Sequence, residues 1–228
     1  MTAGRARGSK STIKLKIRDG NRVKILKIGV TGSAGAGKSL VCRIFRDLGL
    51  VTLDCDQIAR QVTEPGQKAY GEILALFGRD VVREDRSLDR PRLRNLMVAR
   101  PDLRKRLEAL LHPIILEELF FQMEAAEYPG EPACAAEVPL LFELDLKHHF
   151  DAVVTVVGDD RELIRRISGR DGVSRADAAG ILDLQMSQAE KIRQSDYVVE
   201  NRGTREALED SVKNVYTAMK KEFLTKKK

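Results

Sequence analysis

Gly32, Gly37, Lys38 and Ser39 fit the pattern G-x-x-x-x-G-K-[ST], and residues of these types at this spacing make a phosphate cradle. A loop that wraps an anion with its own N–H groups must bring its backbone close, and glycine permits that approach. Lys38 adds a mobile positive charge suited to the β- and γ-phosphates of a nucleotide. The Ser39 hydroxyl is a hard oxygen of the kind Mg²⁺ accepts. Leu40 follows where many such loops carry threonine, so one phosphate hydrogen bond is lost there. The plain alternative is a glycine turn that only joins a strand to a helix.

A second group lies at Asp54 and Asp56, on either side of Cys55. In extended backbone the two carboxylates point the same way. One could take a proton from an attacking hydroxyl or hold a water on Mg²⁺. Both could equally cap a helix predicted from Gln57. A third group is cationic: Arg161, Arg165, Arg166 and Arg170 fall within eleven residues, and Arg175 follows an Arg-Asp-Gly break. Arginine's planar fork can hold phosphoryl oxygens as a site closes, and Arg170 is the favoured residue for that work. A solvated basic helix face is the alternative. His112, before Pro113, could meet a substrate or fix a helix break. Asn201 could meet an adenine or simply form a turn.

These groups need elements to position them. Apolar runs at 25–30, 51–53, 133–138, 153–157 and 197–200 predict five strands, and helical patterns separate them. Val41, Ile44, Phe45 and Leu48 place a helix directly behind the glycine loop, with its dipole aimed at the anion. The alternation argues for an α/β fold, a five-stranded parallel sheet flanked by helices. Ligands of such sheets bind beyond the C-terminal strand ends, where the glycine loop, Asp54, Asp56 and the Pro139-Leu140 stretch all fall. The helical segments at about 57–128 read as a substrate subdomain, with a break or kink at His112-Pro113. Residues of about 160–190 read as a lid. A helix starting at Ser174 is expected to reach about Met186.

The chain has 228 residues, enough for one domain with an insertion, here 23–224. Its net charge of +6 resides in the ends. Residues 1–24 hold eight Lys/Arg and one Asp, and three lysines close the chain, so the body is net negative. Residues 1–22 read as a disordered basic extension, 225–228 as a basic tail, and specific nucleic-acid binding is not expected. No apolar run is long enough to span a membrane, and the N-terminus lacks a secretory h-region. Three cysteines without C-x-x-C spacing fit reduced thiols in a cytoplasmic protein, and with three histidines they form no zinc pattern. Oligomeric state is not encoded in any of these features.

Several segments together resemble the dephospho-coenzyme A kinases. They are the glycine loop; Leu53-Asp54-Cys55-Asp56 with Ala59-Arg60-Gln61-Val62 and Glu64-Pro65-Gly66; Leu111-His112-Pro113; Val138-Pro139-Leu140-Leu141-Phe142-Glu143; Arg170-Asp171-Gly172-Val173-Ser174-Arg175; and Gln185 with Asp196-Tyr197-Val198 and Asn201. The resemblance spans about 25–223. It implies a P-loop NTPase fold of the nucleoside-monophosphate-kinase type, with core, helical substrate subdomain and lid. It implies ATP-dependent phosphorylation of the ribose 3′-hydroxyl of dephospho-CoA, giving coenzyme A and ADP, with Mg²⁺ as cofactor. By the same resemblance Gly35, Ala36, Gly37, Lys38, Ser39 and Leu40, with Asn201, are the ATP residues and Ser39 the metal ligand. Asp56 is the base, and His112, Pro139 and Leu140 lie on the substrate side. Lys38 and Arg170 stabilise the transferred phosphoryl group. Rival readings are a kinase for a nucleoside monophosphate or small alcohol, and a switch-type nucleotide module. The second lacks its usual N-K-x-D loop here.

Overall fold

The computed structural model describes residues 25–126 and 133–225. The expectations for residues 1–22, for the turn at 129–132 and for the last three lysines lie outside them. Five strands form one sheet in the order β2-β3-β1-β4-β5, every neighbouring pair parallel. They are β1 (Leu26–Gly32), β2 (Val51–Asp54), β3 (Ala133–Glu137), β4 (Ala152–Val157) and β5 (Tyr197–Glu200). The connection from β1 runs one way, to β2, and that from β3 runs the other way, to β4, so the crevice of this sheet opens between the ends of β1 and β3.

Burial on both faces explains the strand sequences. Side chains alternate, so Ile28, Val30, Ala135, Val154 and Val156 pack one way, under α1 (Lys38–Asp47) and α9 (Arg205–Thr225). Cys134, Ala136 and Val153 pack the other way, under α2 (Cys55–Val62) and α5 (Pro101–Ala125). A third cluster of Ile73, Val81, Leu88, Leu93 and Leu107 joins α3 (Lys68–Phe77) and α4 (Arg90–Ala99) to α5, outside the sheet. Helices α3 and α4 and the first part of α5 thus share a small core of their own. After β4 come α6 (Asp160–Asp171), α7 (Arg175–Asp183) and α8 (Gln188–Gln194).

Two local expectations give way. Of the break or kink expected at His112-Pro113, the break does not occur: helix α5 runs continuously through Pro113. Proline removes one backbone donor, so the Ala109 carbonyl loses its helical partner. Burial of Leu107 on one side of the proline, and of Leu119 and Met123 on the other, outweighs that loss. The helix after Ser174 ends at Asp183, and α8 follows as a separate element. Its capping box, in which Ser187 and Glu190 satisfy each other's backbone N–H, was written in the sequence as Ser-Gln-Ala-Glu. Cys42, Cys55 and Cys134 are free, and burial pushes all three thiols up, Cys55 and Cys134 to about 12. No helix among the described residues is long and apolar enough to cross a membrane.

Candidate active site

The glycine loop joins β1 to α1 through backbone that side chains resist: Gly35 and Gly37 have φ of 76° and 100°. A Cβ on Gly32 would strike the Val156 carbonyl of β4, and one on Gly37 would strike the Asn201 amide. Lys38 opens α1, yet its side chain folds back under the loop. Its Nζ donates to the carbonyls of Gly32 (3.1 Å) and Ser33 (3.2 Å), and the residue is only 9% exposed. Burial pulls the ammonium below its ordinary range. Glu137 opposes that, Lys191 adds to it, and the charges of Asp56 and Arg170 also reach it.

Ser39 donates from Oγ to Glu137 Oε1 at 3.1 Å. Glu137 ends β3, paired with Val30 and Asp54. Burial holds its carboxyl above the usual range, while the Ser39 hydrogen bond and Lys38 lower it. The sequence reading missed Glu137. Its signal was a lone acid ending an apolar strand, Ala-Cys-Ala-Ala-Glu, at the ligand end of a parallel sheet.

Asp54 and Asp56 divide the two roles considered for the pair. The strand extends to Asp54 and the helix begins at Cys55, so the carboxylates do not share an extended segment. Asp54 Oδ1 accepts from the N–H groups of Asp56 (2.8 Å) and Gln57 (3.3 Å), and it is the cap. Asp56 sits in the first turn with its side chain exposed toward the crevice charges. Desolvation, and then Asp54, push its carboxyl up, while Lys38, Arg60 and Arg170 pull it down.

On α6 the arginines separate by what they touch. Arg165 is engaged by Glu162, and both are largely exposed. Arg166 donates to the Gly35 carbonyl of the glycine loop at 3.2 Å. Arg170, one turn on, forms an ion pair with Asp171 at 2.7 Å and feels the Asp56 charge. Asn201, after β5, donates from Nδ2 to Ala36 O at 2.8 Å, so it grips the loop backbone. Gln185 Oε1 accepts from Ala34 N at 2.9 Å, and Gln188 binds both backbone groups of Gly158. Beneath them Lys191, fully buried, reaches Glu143 at 2.7 Å. Of the segment from Gln185 to Lys191, Gln185 touches the glycine loop while Gln188 and Lys191 tie it to Gly158 and Glu143, and only Gln185 was singled out in the sequence, by the family resemblance.

Leu40 is half-buried against the core shared by α1 and α9, which accounts for an apolar residue there. Pro139 accepts at its carbonyl from Thr31 Oγ1 (3.3 Å), beside the end of β1, and Leu140 is 39% exposed. His112 lies half-buried in α5 between Leu111 and Pro113. No described contact joins it to the charges around Lys38. Asn201→Ala removes one hydrogen bond to the loop without touching the core. It is expected to raise KM for nucleotide about fivefold, the worth of roughly 1 kcal/mol, with kcat nearly unchanged. Initial-rate kinetics with a melting control check this.

The arrangement gathers a phosphate cradle, a lysine, a hydroxyl, crowded carboxylates and two arginines at one crevice. Such a set suits phosphoryl transfer to an acceptor beside Asp56. A family model described as dephospho-CoA kinase matches residues 26–206. A dephospho-CoA kinase of Geobacillus kaustophilus is 36% identical over 181 residues, 79% of this chain and 90% of that one. The crystal structure of TT1252 from Thermus thermophilus superposes with a TM-score of 0.73 at 33% identity, covering 85% of this chain and 97% of that one. A dephospho-CoA kinase from Campylobacter jejuni has the same fold, with a TM-score of 0.66 at 23% identity over 87% and 99%.

Proposed function

The chain belongs to the dephospho-CoA kinase family, whose members phosphorylate dephospho-CoA to coenzyme A as the last step of coenzyme A biosynthesis, and we propose how its own residues carry that reaction. Asp56 orients the ribose 3′-hydroxyl and accepts its proton. Lys38 leaves the Gly32 and Ser33 carbonyls for the β- and γ-phosphates of ATP. Gly35 to Ser39 cradle the phosphates through backbone N–H groups. Arg170 exchanges Asp171 for the γ-phosphoryl oxygens as residues of about 160–190 close and exclude water. The chemistry asks for little covalent participation, so positioning and charge neutralisation dominate. The observation that carries this reading is mutual: Lys38 feels Asp56 and Arg170, and Arg170 feels Asp56. That mutual influence supports placing the phosphates and the acceptor hydroxyl among these three side chains.

Mg²⁺ fits the same place. The Ser39 hydroxyl lies beside Glu137, whose carboxyl feels Asp54 and Asp56, an oxygen-only set crowded with negative charge. No cage of three or more His, Cys, Asp or Glu exists among the described residues. A Mg²⁺ ion held by Ser39, substrate phosphates and water needs none. When bound it would neutralise charge on the β- and γ-oxygens. The protein with ATP, MgCl₂ and dephospho-CoA is expected to yield coenzyme A and ADP in equal amounts, and EDTA is expected to stop the reaction. Release of ADP without coenzyme A, or faster phosphorylation of AMP than of dephospho-CoA, would overturn the reading.

A further inference from the structure

Asp56, Arg60 and Thr63 stand at i, i+4 and i+7 of α2 and its C-cap, so they follow one another along one face. Asp56 and Arg60 are exposed, and each lies within reach of the other's charge. Beyond Thr63 this face runs into a cleft of about 330 Å³, lined by Glu64, Pro65, Arg83, Leu88 and Arg90 among others. Arg90 fixes one wall by donating from Nη2 to Thr63 Oγ1 (2.9 Å) and the Arg60 carbonyl (3.4 Å). Arg83 is half exposed, and its nearest acid, Asp89, is 3.8 Å away. The lining mixes guanidinium, carboxylate and hydroxyl groups with proline and leucine. That suits a chain of amides and hydroxyls on an aliphatic frame better than a bare anion.

We propose that this face of α2 is a ruler for the acceptor: with the ribose 3′-hydroxyl at Asp56, the diphosphate lies at Arg60 and the pantetheine arm enters the cleft at Thr63 to Arg90. The spacing agrees. Four helical residues advance about 6 Å and seven about 10 Å. In dephospho-CoA, five bonds separate the 3′-oxygen from the first phosphorus and seven from the second, about 6 and 8 Å at the reach per bond of an extended chain. Arginine is the side chain suited to a diphosphate at that place. The inference rests on the reading of Asp56 as the group that meets the 3′-hydroxyl. It adds the part of the site that separates dephospho-CoA from AMP.

Calorimetric titration of dephospho-CoA and of AMP, with the nucleotide site filled by AMP-PNP and Mg²⁺, tests it without turnover. The parent is expected to bind dephospho-CoA more tightly. Arg83→Gln should lower the preference for dephospho-CoA over AMP about tenfold, and Glu64→Gln, also in the lining, should lower it in the same direction. Arg60→Gln should weaken both ligands by about tenfold, since AMP keeps one phosphate. An unchanged preference in both cleft variants, or a parent that binds the two ligands equally, would overturn the ruler. Tight, cleft-dependent binding without any coenzyme A formed would leave the ruler standing and remove the kinase reading instead.

Discussion

Asp56→Asn is expected to cut kcat for coenzyme A formation by about 10²–10⁴-fold, with KM for dephospho-CoA changed far less. The amide keeps the size and a hydrogen bond but cannot take the 3′-hydroxyl proton. Asp54 is the comparison that isolates the effect. Its side chain holds the first N–H groups of α2, so Asp54→Ala costs about 1 kcal/mol of stability. The two variants should therefore separate: Asp56→Asn loses rate without losing stability, and Asp54→Ala loses stability. The pH profile carries a second check. Desolvation and then Asp54 raise the Asp56 pKa above the ordinary 3.8. The base works ionised, so kcat should fall with acid already above the usual carboxylate range, and Asp56→Asn should lose that limb. The sign for stability is opposite to that of a salt-bridged acid. A carboxyl raised in the native state binds protons there more readily than in the unfolded chain. Native stability thus declines as pH rises from the unfolded value through the raised one, and the deficit is complete above it. Asparagine never ionises, so the variant is expected to melt higher than the parent at pH 7. A variant as active as the parent would leave Asp56 without its role.

How far such residues could be read from sequence depends on the range of the forces that place them. The glycine loop, the five strands and the parallel class follow from local pattern: a glycine that must take positive φ, a Val/Thr run buried on two faces, a capping aspartate. That an aspartate could cap the helix after β2 was legible from residue type and place. Which of the two acids capped was not, because that turns on whether the strand stops at Leu53 or at Asp54. Pro113 pointed to a break or kink by local rule, and contacts of Leu107, Leu119 and Met123 with distant elements carry the helix through it without a break. Glu137 and Lys191 escaped notice for the same reason. Their partners Ser39 and Glu143 lie 98 and 48 residues away in sequence, and no periodicity links them. Asn201 was noticed as a turn former or base contact, yet its side chain closes on Ala36, 165 residues earlier. The family resemblance supplies the order of the segments. The long-range hydrogen bonds explain why several of its polar residues are needed.

Lys38→Ala is expected to lower kcat by about 10³-fold, the largest loss for any single side chain beside Asp56, and to weaken ATP binding by about tenfold or more. The resting ammonium is tied to two loop carbonyls, and a hydrogen bond to a charged group contributes about 1.5–3 kcal/mol. Burial works against it and pulls its pKa below the ordinary 10.5. In the native protein without nucleotide, that desolvation cost is present while Lys38 is charged. It fades as pH rises from the lowered value toward 10.5, where the unfolded chain also loses its proton. ATP reverses the balance. Its phosphates favour the charged form, so binding pushes the Lys38 pKa back up and takes up a proton wherever the free site has lost one. ATP affinity should therefore fall as pH rises through the lowered Lys38 value, and the alanine variant should show no such fall. Calorimetry in buffers of different ionisation enthalpy reads the proton directly. Uptake at alkaline pH in the parent and none in Lys38→Ala is the expected pair of results. Equal ATP affinity and equal proton uptake in both proteins would mean that Lys38 stays on the Gly32 and Ser33 carbonyls when nucleotide binds, and that its place in the phosphate cradle is structural.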